Sequence, residues 1–218
     1  MIRYDCRGFG RSGELDPAVP YVHHEDLVAV LDHLSVETAA VVGLSFGGQV
    51  ALQTALAAPS RVRALVVLDA LLDGVAWDPE SLAGLDDLNA AVAEGGVRAG
   101  RAAWLAHPLF AAVWRHPEIE AELRAMVEDY PGQHWLGRDP HRRVEPRPLE
   151  RLHTIDIPTL VIVGALDVPC FREMSRILAE RIPHAEHHTI DGAGHMVNME
   201  APHAVNGLLL DFLDRVAR

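Results

Sequence analysis

Gly43-Leu44-Ser45-Phe46-Gly47-Gly48 is the stretch on which the reading of this chain turns. Ahead of it, residues 39–43 form a short run of small and β-branched residues; behind it, a helix-length apolar segment reaches about residue 57. A serine set between glycines at the junction of a strand and a helix marks a sharp turn that lifts its hydroxyl above the edge of a sheet. Both Gly43 and Gly47 receive a steric reason in this reading. A larger side chain at either would collide where strand and helix come close.

Outward from this turn, short β-branched runs alternate with amphipathic segments, the pattern of a mostly parallel α/β sheet with helices on both faces. Residues 2–5, 39–43, 64–69, 159–164 and 185–190 are the candidate strands. Leu27, Val30, Leu31 and Leu34 recur at helical spacing, as do Val205, Leu208, Leu209, Phe212, Leu213 and Val216, and both stripes are expected to face the sheet. From residue 71 to 152 the alternation stops. That segment reads as helices, with Leu82, Leu85, Leu88 and Val92 on one and Ile119, Leu123, Met126 and Val127 on another, and residues 139–148 as the return linker. The expected organisation is therefore a core of residues 1–70 and 153–218 interrupted by a helical lid at 71–152. All four tryptophans, Trp77, Trp104, Trp114 and Trp135, fall in the insertion. They either fill its own small core or line an apolar substrate pocket.

The whole chain has 218 residues, 49% hydrophobic and 23% charged, enough for one sizeable packed core. Its net charge of −12 repels phosphate backbones and anionic bilayers, which argues against a nucleic-acid or membrane partner. The first residues carry no signal-like apolar stretch, and no apolar run nears the roughly 18 residues a membrane helix needs, so a cytoplasmic location is expected. Cys6 and Cys170 are the only cysteines and are read as packing residues without a role.

A serine hydroxyl is a weak nucleophile, so Ser45 needs a base within hydrogen-bond reach and a third group to orient that base. Two loops that follow predicted strands supply them: Asp167, after the strand at 159–164, and His195 in Asp191-Gly192-Ala193-Gly194-His195, after the last strand. Carboxyl ends of strands are where open α/β sheets assemble their sites. Asp69, at the end of another strand, is a competing candidate for the acid.

The order Ser45, Asp167, His195 and four motifs together resemble the α/β-hydrolase family. Tyr4-Asp5-x-Arg7-Gly8-x-Gly10-x-Ser12 resembles the loop after that family's fourth strand, Gly43 to Gly48 its nucleophile elbow, residues 158–167 its acid loop, and Gly192 to His195 its histidine loop. Within the family the chain looks like the branch of lactonases, esterases, C–C hydrolases and cofactor-free haloperoxidases. The serine at position 45 separates it from the dehalogenases and epoxide hydrolases, which have aspartate there.

The resemblance implies a triad of Ser45, Asp167 and His195, an oxyanion donor at the backbone N–H of Phe46, no cofactor and no metal. It implies hydrolysis of an ester or lactone of a small, partly apolar carboxylic acid through an acyl-serine. It also implies three strands and a helix ahead of residues 2–5, with a His-Gly turn supplying a second oxyanion donor. No His-Gly dipeptide occurs in the chain, and Met1 falls inside a predicted strand. The expectation is thus a truncated α/β-hydrolase, begun at an internal methionine or a fragment. A gap or rearranged pairing beside residues 39–43 would then favour self-association. A non-catalytic ligand- or partner-binding member of the family, or an inactive fragment lacking the second oxyanion donor, is the alternative.

Two further patterns carry less. Gly8-Phe9-Gly10-Arg11-Ser12-Gly13 matches a dinucleotide fingerprint, yet residues 14–20 hold two prolines and no helical stripe where that motif must open a helix. His184, His187 and His188 could hold a metal, but neighbours 187 and 188 point to opposite faces of an extended strand.

Overall fold

The computed structural model describes residues 1–13, 15–137 and 139–217. Among them one parallel sheet runs in the order β1 (Ala39–Leu44), β2 (Val62–Leu68), β3 (Thr159–Gly164) and β4 (Glu186–Ile190). Eight α-helices accompany it among the described residues: α1 (His23–His33), α2 (Phe46–Ala57), α3 (Pro79–Leu105), α4 (Pro117–Asp129), α5 (Pro148–Arg151), α6 (Pro169–Arg181), α7 (Val197–Glu200) and α8 (Pro202–Val216). None is long and apolar enough to cross a membrane.

Central strands of a parallel sheet are covered on both faces and read as unbroken apolar runs, as residues 64–68 of β2 and 160–163 of β3 do. β4 lies at an edge, and its Glu-His-His-Thr-Ile alternates half-buried with exposed positions. His187 and His188 accordingly face opposite ways. On one face Ala64, Val66 and Leu68 of β2 and Leu160 and Ile162 of β3 pack with Val205 and Phe212 of α8, while Leu208, Leu209, Leu213 and Val216 complete the stripe. Each large side chain buried there contributes about 1.5–3 kcal/mol. α2 packs on β1 and β2, and α6 on β3.

Residues 2–5 are not a strand. Ile2 is 51% exposed, and the segment is held by its own turn: Ser12 Oγ donates to the Asp5 carbonyl and the Arg11 N–H to the Asp5 carboxylate. A strand persists only where a neighbour takes its backbone groups, and among the described strands β1 pairs with β2 alone. Gly8, Gly10 and Gly13 occupy the left-handed region in these turns, and among the described residues no helix opens until α1.

The chain divides into two compact units, Met1–His23 with Trp77–Arg143, and His24–Ala76 with Val144–Arg218. The first 23 residues thus fall with the insertion, where the sequence reading had set them with the core. Hydrogen bonds explain it: the Leu15 N–H donates to Gln133 Oε1 at 2.8 Å and Tyr21 Oη to Asp139 Oδ1 at 2.8 Å. Phe9 stacks on Tyr130 and His134 at 5.0 and 4.6 Å. In the same unit Asp78 caps α3 through Ser81, and Gly96, with φ +64°, kinks it.

Three residues of the predicted stripes leave the core: Leu34, Leu82 and Met126 are 46%, 47% and 47% exposed. α1 ends at His33, one residue before Leu34. Leu82 and Met126 sit on helices that bury Leu88 and Val92, and Leu123 and Val127, respectively, so their apolar faces are narrower than the periodicity implied.

Candidate active site

The candidate catalytic residues lie in the unit formed by His24–Ala76 and Val144–Arg218. All four strands point their carboxyl ends to one edge of the sheet, because all run parallel. Ser45 follows β1, Asp69 follows β2, Asp167 lies three residues beyond β3 and His195 five beyond β4.

Ser45 adopts φ 51°, ψ −116°, a conformation that costs a non-glycine residue about 1–3 kcal/mol. Neighbouring backbone over-determines it. The Ser45 N–H donates to Leu68 O at 2.9 Å, and Ser45 O accepts from the N–H groups of Gln49 and Leu71 at 3.1 Å each. Gly43 is required sterically, since a Cβ there would stand 2.2 Å from the Gly47 carbonyl oxygen. The steric reason given to Gly47 is corrected: a Cβ at that position meets nothing within 4 Å. The second close approach belongs to Gly48, whose Cβ would lie 2.6 Å from that of Ala70. Phe46 opens α2, so its N–H has no carbonyl four residues back within the helix.

The loops after β3 and β4 are stitched together. The Ala165 N–H donates to Ile190 O at 2.9 Å and the Leu166 N–H to Ala193 O at 2.8 Å. Gly164 permits the contact, because a Cβ there would be 2.2 Å from Gly194 O. Glu200 fixes the turn from the far side, accepting from the N–H groups of Gly194 at 2.7 Å and Met196 at 3.0 Å.

These loops bring Ser45, Asp167 and His195 together. His195 Nδ1 is 2.9 Å from Asp167 Oδ2, and Nε2 is 2.9 Å from Ser45 Oγ. Asp167 and His195 are each 3% exposed. The remaining oxygen of Asp167 accepts the Val168 N–H at 2.7 Å, which holds the carboxylate plane, and Phe171 meets the imidazole edge-on at 4.4 Å. An ionised carboxylate only accepts, so Nδ1 carries the proton of a neutral imidazole and the Nε2 lone pair faces the serine hydroxyl. With Asp167 on Nδ1, the competing position Asp69 does not contact the ring as its acid.

Asp69 is nevertheless close. It is fully buried, has φ +40°, and its Oδ1 accepts the Gly164 N–H at 2.8 Å. Burial foremost, then the charge of Asp167, pushes its carboxyl well above the ordinary carboxylate range, against the Gly164 hydrogen bond. Ligand atoms of Asp69, Asp167 and His195 lie within 4.8 Å of one another, a spacing a metal could use. The fit to a cation is poor, since an imidazole binds metal through a ring lone pair and both His195 nitrogens are engaged by Asp167 and Ser45.

Sequence reasoning passed over Glu200 and Phe171, which hold the histidine turn and the ring. An acid five residues after His195 was the available signal for Glu200; Phe171, inside an ordinary helical stripe, gave none. The four tryptophans belong to the other unit, each half-buried. There Trp104 packs 6.4 Å from Trp135 and 5.4 Å from Phe110, and Arg124 lies 4.8 Å over Trp114.

A family model described as alpha/beta hydrolase fold matches residues 1–202. The chain is 33% identical to a provisionally named carbamate hydrolase RutD of Caulobacter sp. (strain K31), over 98% of its length and 80% of the relative's. It is 30% identical to 2-hydroxymuconate semialdehyde hydrolase of Pseudomonas sp. (strain CF600), over 98% and 76%. Among solved structures it is similar to Est816, described as an N-acyl homoserine lactone degrading enzyme, with 31% identity, a TM-score of 0.75 and coverage of 95% and 80%.

Proposed function

The chain belongs to the alpha/beta hydrolase family, and from that membership we propose that it is a serine hydrolase cleaving an ester or lactone of a small, partly apolar carboxylic acid through an acyl-serine. One observation carries the reading: a buried imidazole held 2.9 Å from Asp167 on one nitrogen and 2.9 Å from the Ser45 hydroxyl on the other.

In this reaction His195 Nε2 takes the Ser45 proton as Oγ attacks the carbonyl carbon, and Asp167 stabilises the imidazolium that forms. The Phe46 N–H, at the positive end of α2, donates to the oxyanion of the tetrahedral intermediate; one such donor is worth about 10²–10³ in rate. The imidazolium then returns its proton to the departing alkoxide, leaving the acyl group on Ser45. Water then gives a proton to His195 Nε2 as its oxygen attacks the acyl carbon, and the imidazolium returns that proton to Ser45 Oγ as the bond between Oγ and the acyl carbon breaks and the acid leaves. The strained backbone at Ser45 keeps the hydroxyl at the sheet edge through both halves. A lactone would open by the same steps with its alcohol still tethered, and the homoserine lactone named for Est816 supports including that class.

The test is stopped-flow acylation with nitrophenyl esters of increasing acyl length, beside an acyl homoserine lactone and an aryl carbamate. A burst matching the enzyme concentration, with the acyl mass on the Ser45 peptide, is the expected result. Turnover without an adduct on Ser45 would overturn the reading. We also infer that copies of the chain pair along β1, whose ladder among the described strands has β2 on one side only.

A further inference from the structure

Asp69 is a buried acid that the proposed reaction leaves unused. Its Oδ1 is satisfied by the Gly164 N–H, but Oδ2 is buried and, with Asp69 and Asp167 both ionised, has no hydrogen-bond partner. Asp167 and His195 each bring a polar side-chain atom within 4.8 Å of an Asp69 carboxylate oxygen. Two ionised carboxylates at such range, each shielded from water, repel strongly, and shared-proton pairs are the usual outcome. A single proton on Oδ2 would remove the repulsion and turn an orphaned acceptor into a donor aimed at Asp167.

We propose that Asp69 holds its proton at neutral pH and donates a hydrogen bond from Oδ2 to the Asp167 carboxylate, as a positioning residue for the Asp167–His195 pair. The site then carries one negative charge, on Asp167, instead of two. Asp167 is fixed by three donors: the Val168 N–H, His195 Nδ1–H and Asp69 Oδ2–H. The charged and titratable groups facing Asp69 are Asp167 on the loop after β3, His195 on the loop after β4 and Glu200 on α7. Both carboxylates favour protonation of Asp69, in accord with the upward direction of its pKa and its full burial. The kinetic consequence rests on the serine-hydrolase reading; the proton on Asp69 does not.

Infrared difference spectroscopy at neutral pH tests the proton directly, without any turnover. The C=O stretch of a protonated, hydrogen-bonded carboxylic acid is expected in the unaltered protein and in Ser45→Ala, and is expected to vanish in Asp69→Asn. Its absence from the unaltered protein, or its persistence in Asp69→Asn, would overturn the proposal. The kinetic arm uses the shape of Asn, whose Oδ1 can still accept from Gly164 and whose Nδ2 can still donate to Asp167. Asp69→Asn should therefore keep the acid limb of the kcat/KM profile in place. Asp69→Ala should lose about tenfold in kcat with KM nearly unchanged. If Asp69 were ionised, Asp69→Asn would strip a negative charge from beside the imidazole and move the acid limb down by about one pH unit. That shift would refute the proposal even in a fully active enzyme.

Discussion

His195 Nε2 and Ser45 Oγ, 150 residues apart in sequence, meet at 2.9 Å. This is the separation at which a base removes a proton as the oxygen attacks, with no rearrangement of either loop. Ser45→Ala and His195→Ala should each lower kcat by about 10⁴-fold or more, with the double variant hardly worse than either single one. A fluorophosphonate probe should label the unaltered protein on Ser45 and fail with Ser45→Ala; equal labelling of both would place the reactivity elsewhere.

In the proposed reaction Asp167 acts on the serine only through the imidazole. Asp167→Asn keeps the shape but presents an amide donor to Nδ1, which favours the wrong tautomer. The expected loss is about 10⁴-fold in kcat, with KM changed much less. A loss below tenfold would show that the ring finds its orientation without this carboxylate.

The glycines of the Ser45 turn should separate on stability. Gly43→Ala forces a Cβ against the Gly47 backbone and should cost about 3 kcal/mol or more, read from the denaturant midpoint. Gly47→Ala enters open space within α2 and should be neutral or stabilise by up to about 1 kcal/mol. The reverse ranking would contradict the packing described for the turn.

Asp69 gives stability a pH dependence of defined sign. Its folded pKa is raised, so above about pH 4 the unfolded chain releases a proton that the native state keeps. The contribution is complete below the unfolded value and declines as pH rises toward the folded one. Asp69→Asn removes this dependence. Its unfolding free energy should therefore gain on that of the unaltered protein by roughly 1 kcal/mol per pH unit above about pH 5, as chemical denaturation at a series of pH values would show. A difference that stays flat with pH would mean that Asp69 titrates alike in both states.

Strand β1 has a ladder on one side only among the described strands, and Val42 on it is 45% exposed. A charged side chain on an edge strand disfavours edge-to-edge pairing. Val42→Lys should shift sedimentation toward monomer at micromolar concentration. An unaltered protein that is monomeric under those conditions would remove the self-association reading.

The sequence by itself determined the parallel α/β sheet, because local patterning is enough to write it. The unbroken apolar runs at 64–68 and 160–163 could only be buried central strands, and the stripe ending at Val216 could only be a helix laid on them. Turn chemistry is equally local, so Ser45 and the Gly192-to-His195 loop were legible as chemistry-bearing corners. Residues 2–5 misled because strand character needs a partner, and no periodicity in four residues reports whether one exists. Gly47 and Gly48 were indistinguishable in the sequence, since which of two adjacent glycines meets Ala70 depends on the angle at which α2 leaves the turn. The choice between Asp69 and Asp167 also belonged to the tertiary structure. Both follow strands at the same sheet edge, and the hydrogen bonds joining Ala165 to Ile190 and Leu166 to Ala193 carry Asp167 to the imidazole. Asp69, held back on Gly164 in full burial, is left near its neighbour's charge. Proton affinity is set by what surrounds a carboxyl in three dimensions, and no property of residue 69 in the sequence encodes it.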